Sequence, residues 1–140
     1  MSTRRKIRFR RPRTERRGAA VAELAVCLPL IFLLVLGTVE ACTMVSLKQS
    51  LTVAAYEGAR TALYPGSTSA DVTTDATQVL TDREVQSGSV LLTPLLFESA
   101  ASGDYLKVQV SAQCDANGGL GSYLYGGKSL TATVEVVKEY

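Results

Sequence analysis

Any chemistry done by this chain has to be done without histidine. There is none, and the ionisable side chains are fifteen Lys and Arg, thirteen Asp and Glu, six Tyr and three Cys. That removes Ser-His-Asp and Cys-His nucleophile systems and the commonest transition-metal ligand. The cysteines, Cys27, Cys42 and Cys114, lack the CxxC spacing of a structural zinc site or a redox motif. A Cys42–Cys114 disulfide is open to the chain in an oxidising compartment, although it leaves Cys27 over inside an apolar run. Without that bridge, Cys27 and Cys42 read as small apolar residues. Acid pairs such as Asp82 with Glu84, or Glu135 with Glu139, have the composition for acid–base work but no sequence neighbours that would perturb them. The glycine-rich GGLGSYLYGGKS, residues 118–129, ends in the Gly-Lys-Ser of a P-loop. Counting back five places from Gly127 meets Ser122 rather than Gly121, and strand-like sequence follows, so the phosphate-cradling amides of a helix start are missing. It reads as a loop in which Tyr123 and Tyr125 are available for packing or partner contact. No enzyme activity, cofactor or metal is expected.

One acid stands apart, because Glu23 borders sixteen uncharged residues, LAVCLPLIFLLVLGTV, that run to Glu40. Eleven of them are Leu, Val, Ile or Phe, and at their usual transfer energies they contribute about −3 to −7 kcal/mol toward membrane insertion. Leu24 to Val45 as a helix would rise about 33 Å, enough for a ~30 Å hydrocarbon core. Pro29 within it is tolerated in such helices. A soluble domain of this size could hardly surround a helix that is apolar on all sides.

Charge sets the orientation. Residues 1–18 hold nine basic side chains against one acid, net +8, and the remainder is net −6. Lys and Arg on a short flank stay cytoplasmic, which places the N-terminus inside and the rest outside. An arginine-rich arm could bind nucleic acid instead, but beside an apolar segment its topogenic role and its attraction to anionic lipid headgroups take precedence. No nucleic-acid partner is expected. Arg16 and Arg17 lack the residues that complete a twin-arginine export signal. An acid two places before Cys42 suits a lipobox badly.

Beyond the apolar run, Leu47, Leu51, Ala54, Ala55, Gly58 and Ala62 recur at helical spacing, so the helix should continue to Tyr64 and end at Pro65-Gly66. Ala54, Gly58 and Ala62 form a small-residue strip that can seat the head's own strands or a neighbouring subunit. Ser69 is placed as the cap of a short amphipathic helix with Val72, Ala76, Val79 and Leu80 on one face. Alternating residues then predict strands over 89–96, broken by Pro94, over 105–114 and over 129–138. The expected fold class is α+β: a basic leader (1–18), a transmembrane and extended helix (19–64), and an extracytoplasmic head (65–140) with a short helix and about three antiparallel strands.

The stretch RRGAAVAELAVCLPLIFLLVLGTVEACTMVSLKQSLTVAAYEGARTALY, residues 16–64, resembles the N-terminal region of TadE-like proteins, pseudopilin-type components of bacterial tight-adherence pilus systems. The resemblance lies in the basic leader ending at Gly18, the small residues after it, Glu23, the apolar run, GTVEAC and AAYEGAR. It implies a prepilin peptidase cut between Gly18 and Ala19, which leaves Glu23 as the fifth mature residue and as a subunit-docking acid. Ala19 stands where many pilins carry Phe, and eighteen residues make a long leader. A carboxylate at the edge of an apolar segment is costly alone and useful if a neighbouring subunit presents a positive amine, such as a newly exposed α-amino group.

The resemblance thus implies a single-pass protein of the bacterial cytoplasmic membrane, in or at the base of a pilus. Its partners would be pilus assembly proteins, pilin-like subunits, the peptidase and membrane lipids, in a hetero-oligomer. The alternative is a membrane-tethered extracytoplasmic binding module, a plain anchor or lipoprotein, with no filament role.

Overall fold

The computed structural model describes residues 14–118 and 124–139, with the side chains of 14–17 excepted. Most of the basic leader and Tyr123 lie outside the described residues.

A single helix, α1, runs Thr14–Ala62 and passes unbroken through Pro29. Its N-terminal part has nothing in the protein to bury it: Val26 is 78% exposed and Leu33 67%. The most apolar window of the helix has a mean hydropathy of 2.6 with none of it buried, which makes it a candidate membrane span. The change comes soon after Leu36. Glu40 and Met44 are buried, so the stretch exposed on every side is shorter than the Leu24–Val45 expected from composition. Gly18 to Leu36 rises about 28 Å, still close to a ~30 Å hydrocarbon core. The chain divides into two compact units at this point, Met1–Leu36 and Gly37–Tyr140.

In the second unit, Met44, Leu47, Leu51, Ala54, Ala55, Ala59 and Ala62 form the buried stripe of α1, spaced by three and four as a one-sided helix requires. Helix α2 spans Ser69–Asp82 and buries Val72, Ala76 and Leu80. Its cap is Thr68, one residue before the expected Ser69. The Thr68 hydroxyl accepts from the Asp71 N–H at 3.2 Å and the Asp71 carboxylate accepts from the Thr68 N–H at 2.9 Å, a reciprocal capping box. Ser69 is drawn away because its hydroxyl donates to Glu98 and accepts from the Phe97 N–H.

Strands β1 (Ser89–Thr93), β2 (Tyr105–Gln113) and β3 (Ser129–Val137) form one antiparallel sheet in the order β1-β2-β3. The first strand stops before Pro94, which has no N–H to give a ladder. The register sets Val90 opposite Val110 and Val110 opposite Ala132, and likewise Leu92, Val108 and Val134 in a row. Alternation places Leu106, Val108, Val110 and Ala112 on one buried face. That face, α2 and the stripe of α1 share one hydrophobic core. A 3-10 turn at Phe97–Ser99 and the short α3, Cys114–Asn117, had no sequence signal. The expected α+β fold class, a long apolar helix followed by a short helix and three antiparallel strands, is the one observed.

Candidate functional site

Gly18, Ala19 and Glu23 lie on the first turns of α1, all exposed. Ala19 and Glu23 are four apart and share a face, and a Cβ added to Gly18 would meet nothing within 4 Å. An open, uncovered stretch of helix of this kind leaves room for another protein to approach.

The strip of Ala54, Gly58 and Ala62 is placed differently, since all three are buried in the protein's own core. A Cβ on Gly58 would come to 3.2 Å from Val108 Cγ1, 3.3 Å from Ala76 Cβ and 3.5 Å from Val72 Cγ1. Glycine is therefore what lets α1 pass between β2 and α2 without displacing either. On the opposite side of the same helix Tyr56 is more than half exposed, as is Tyr64 just beyond the helix end. Arg60, beside the Tyr64 phenol and 3.5 Å from the Glu57 carboxylate, is held still further above its usual range.

The structure draws no bridge between Cys42 and Cys114: Cys114 is buried at the start of α3 and Cys42 is exposed on α1. Burial, with the neighbouring Asp115 charge, pushes the Cys114 thiol up.

One residue outside the sequence-derived site is the acid at the other end of the apolar run. Glu40 is 6% exposed, and its Oε1 accepts from the backbone N–H groups of Leu124 at 2.9 Å and Tyr125 at 3.2 Å. The available signal was its position: Glu40 continues the buried stripe of Met44, Leu47 and Leu51 backward by one turn. An acid there must be hydrogen-bonded from across the fold.

Elsewhere, side chains tie loops to elements. Glu98 accepts from the Ser69 N–H at 2.8 Å, which, with its own amide, holds its carboxyl below the usual range. Thr68 does the same for Asp71 through its N–H and hydroxyl. Lys138 donates to the carbonyls of Phe97 and Ala100, and Lys48 donates to that of Thr131. An open groove of about 640 Å³ between α2 and β1 is lined by Thr73, Thr77, Thr81, Leu91 and Leu95 among others, with no charged side chain. It offers contact surface without chemistry. Among the described residues no group of three or more Cys, Asp or Glu is arranged to hold a metal.

The class these features define is an α+β protein whose long N-terminal helix holds the one candidate membrane span among the described residues. Residues 18–60 match the family model of TadE-like proteins, from the glycine at the proposed cut through AAYEGAR. No curated protein and no solved structure matches the chain.

Proposed function

We propose that this protein is a minor, non-enzymatic pseudopilin-type component of a bacterial tight-adherence pilus, acting by helix packing and head contacts at the cytoplasmic membrane. The N-terminus lies in the cytoplasm and the head outside, as the net +8 of residues 1–18 directs. A prepilin peptidase removes the leader after Gly18. Glu23 then stands at the fifth position of the mature chain, one turn from the new α-amino group of Ala19, and meets the corresponding amine of a neighbouring subunit. An ion pair between chains offsets the cost of an acid at the membrane edge. Other pilus proteins engage the head.

The observation that carries this reading is the TadE-like match beginning at Gly18, on a helix whose first turns expose Gly18, Ala19 and Glu23 together. Coexpression with the cognate prepilin peptidase tests it. The membrane-resident protein should begin at Ala19, and Gly18→Leu should block the cut because the site has to admit backbone closely. A chain that still begins at Met1 or Ser2 by mass analysis is instead a plain anchor, and one that begins at a lipidated Cys42 is a lipoprotein.

A further inference from the structure

Glu40 and the loop it holds take no part in the function proposed above. The segment Leu124–Lys128 that leads into β3 is fixed at several points: Glu40 accepts from Leu124 and Tyr125, Asp115 accepts from the Gly127 N–H at 2.9 Å, and the Cys114 N–H donates to the Lys128 carbonyl at 2.9 Å. Gly127, at φ +68°, makes the turn in a region that favours glycine. Tyr125 packs against the core, with the Lys128 ammonium 5.3 Å from its ring centroid. Yet Leu124, in the middle of these restraints, is left 57% exposed. A Cβ on Gly37 would lie 3.7 Å from Leu124 Cδ1, so the loop closes on α1 one residue beyond Leu36, where the fully exposed apolar run ends.

We propose that the Leu124–Lys128 loop is a second contact with the membrane, an interfacial one. Leu124 enters the acyl boundary of a phospholipid bilayer, Lys128 reaches its phosphates, and Glu40 is the positioning residue that holds the loop there. This rests on α1 crossing the bilayer. Continuity argues for lipid as the occupant, because Gly37 directly follows the apolar run in the same helix. Side-chain chemistry argues for it too, since an apolar residue flanked by Tyr and Lys is the composition found at membrane–water interfaces, and a Lys stem can lie along the apolar surface with its charge in the headgroups. Both acids against the loop, Glu40 and Asp115, turn their oxygens to backbone N–H groups, so neither presents a bare carboxylate to lipid.

The chain contains no Trp, so a single introduced Trp is a unique fluorescent reporter. Leu124→Trp, Leu33→Trp and Leu95→Trp are each made in the full chain and reconstituted into phosphatidylethanolamine–phosphatidylglycerol vesicles. These carry nitroxides on the headgroup, high on the acyl chain or deep in it. The acyl-chain labels should quench the Leu33→Trp reporter, and aqueous acrylamide should quench the Leu95→Trp reporter. The headgroup and shallow labels should quench the Leu124→Trp reporter, and Glu40→Ala should shift that reporter to acrylamide while Glu40→Gln, which keeps an acceptor at Oε1, leaves it in lipid. Thermal melts of each variant identify any that fail to fold. If the Leu33→Trp reporter is quenched by the acyl-chain labels while the Leu124→Trp reporter is as open to acrylamide as Leu95→Trp, or is shielded from both acrylamide and lipid as by a second copy, the proposal is overturned and the spanning helix stands. If the Leu33→Trp reporter is not quenched by lipid, the spanning reading fails and the proposal with it. If Glu40→Ala leaves the Leu124→Trp reporter in lipid, Glu40 has no positioning role.

Discussion

Both parts of α1 carry large apolar side chains, and they differ in what surrounds those side chains. Before Leu36 the side chains are exposed all round: Ile31, Phe32, Leu33 and Leu34, consecutive and so spread round the helix, are each more than half accessible. After Gly37 the helix is one-sided, with Leu47, Leu51 and Ala55 in the core and Lys48, Thr52 and Tyr56 outside. A leucine therefore has two different jobs in one helix. In the first part, a candidate membrane span, it is exposed; in the second it fills a defined space in the core shared with β2 and α2. Substitutions should separate the two.

The largest separation is expected between Leu51→Ala and Leu33→Ala. Leu51 is fully buried, and its truncation should cost the head about 2–5 kcal/mol, read as a lower melting temperature of the full chain in detergent micelles. Leu33→Ala should leave that melt unchanged and weaken membrane insertion by only a few tenths of a kcal/mol, about the per-residue transfer term. Equal effects on the melt would erase the distinction between the two parts.

Gly58→Leu sharpens the boundary from the packing side. With Val108 and Ala76 already within 3.3 Å of an added Cβ, overpacking should cost about 1–3 kcal/mol in the same melt. A normal melt with loss of cross-linking between full-length chains would assign the strip to a neighbouring subunit instead.

A smaller effect tests whether the head relies on local capping as well as on the helix. Thr68→Ala removes the hydroxyl acceptor of the capping box and should cost about 1 kcal/mol, with the loss concentrated in α2. Hydrogen exchange that rises in α2 but not in α1 is the expected pattern.

The smallest concerns acid. Asp71 and Glu98 have carboxyls held below their usual range in the folded head, so the folded state binds protons less readily than the unfolded chain. Their contribution is full above the ordinary carboxylate values of about 4 and is lost as pH falls through the lower folded values. The melt should be insensitive to these two groups from neutral pH down to about pH 5 and should weaken below it, less steeply in Asp71→Asn. A melt that strengthened on acidification would contradict the hydrogen bonds assigned to them.

Much of the molecule follows from sequence because its signals are periodic and local. An apolar run bounded by Glu23 and Glu40, a stripe at spacings of three and four, and the alternation of Leu106, Val108, Val110 and Ala112 each specify one element and the face it buries. The capping box closes within four residues, so missing Thr68 in favour of Ser69 was an error of one position. Gly18, Ala19 and Glu23, on which the proposal of processing and docking rests, are continuous in the chain and lie within the TadE-like match.

What only the tertiary structure decided is where residues distant in sequence meet. Both uses of the Ala54, Gly58 and Ala62 strip are open to a helix considered alone; the arrival of Val108 and Val72 at Gly58 fills it from within the same chain. Cys42 and Cys114 are not told apart by their spacing in the sequence, and the fold leaves one exposed and buries the other. Glu40 reads as the charged end of an apolar run, and only the return of the chain more than eighty residues later brings the N–H groups of Leu124 and Tyr125 to its carboxylate. Periodicity records which face of an element is buried, because that depends on neighbours a few residues away. It does not record the partner across the core, because that depends on how separate elements pack, and no local spacing carries that information.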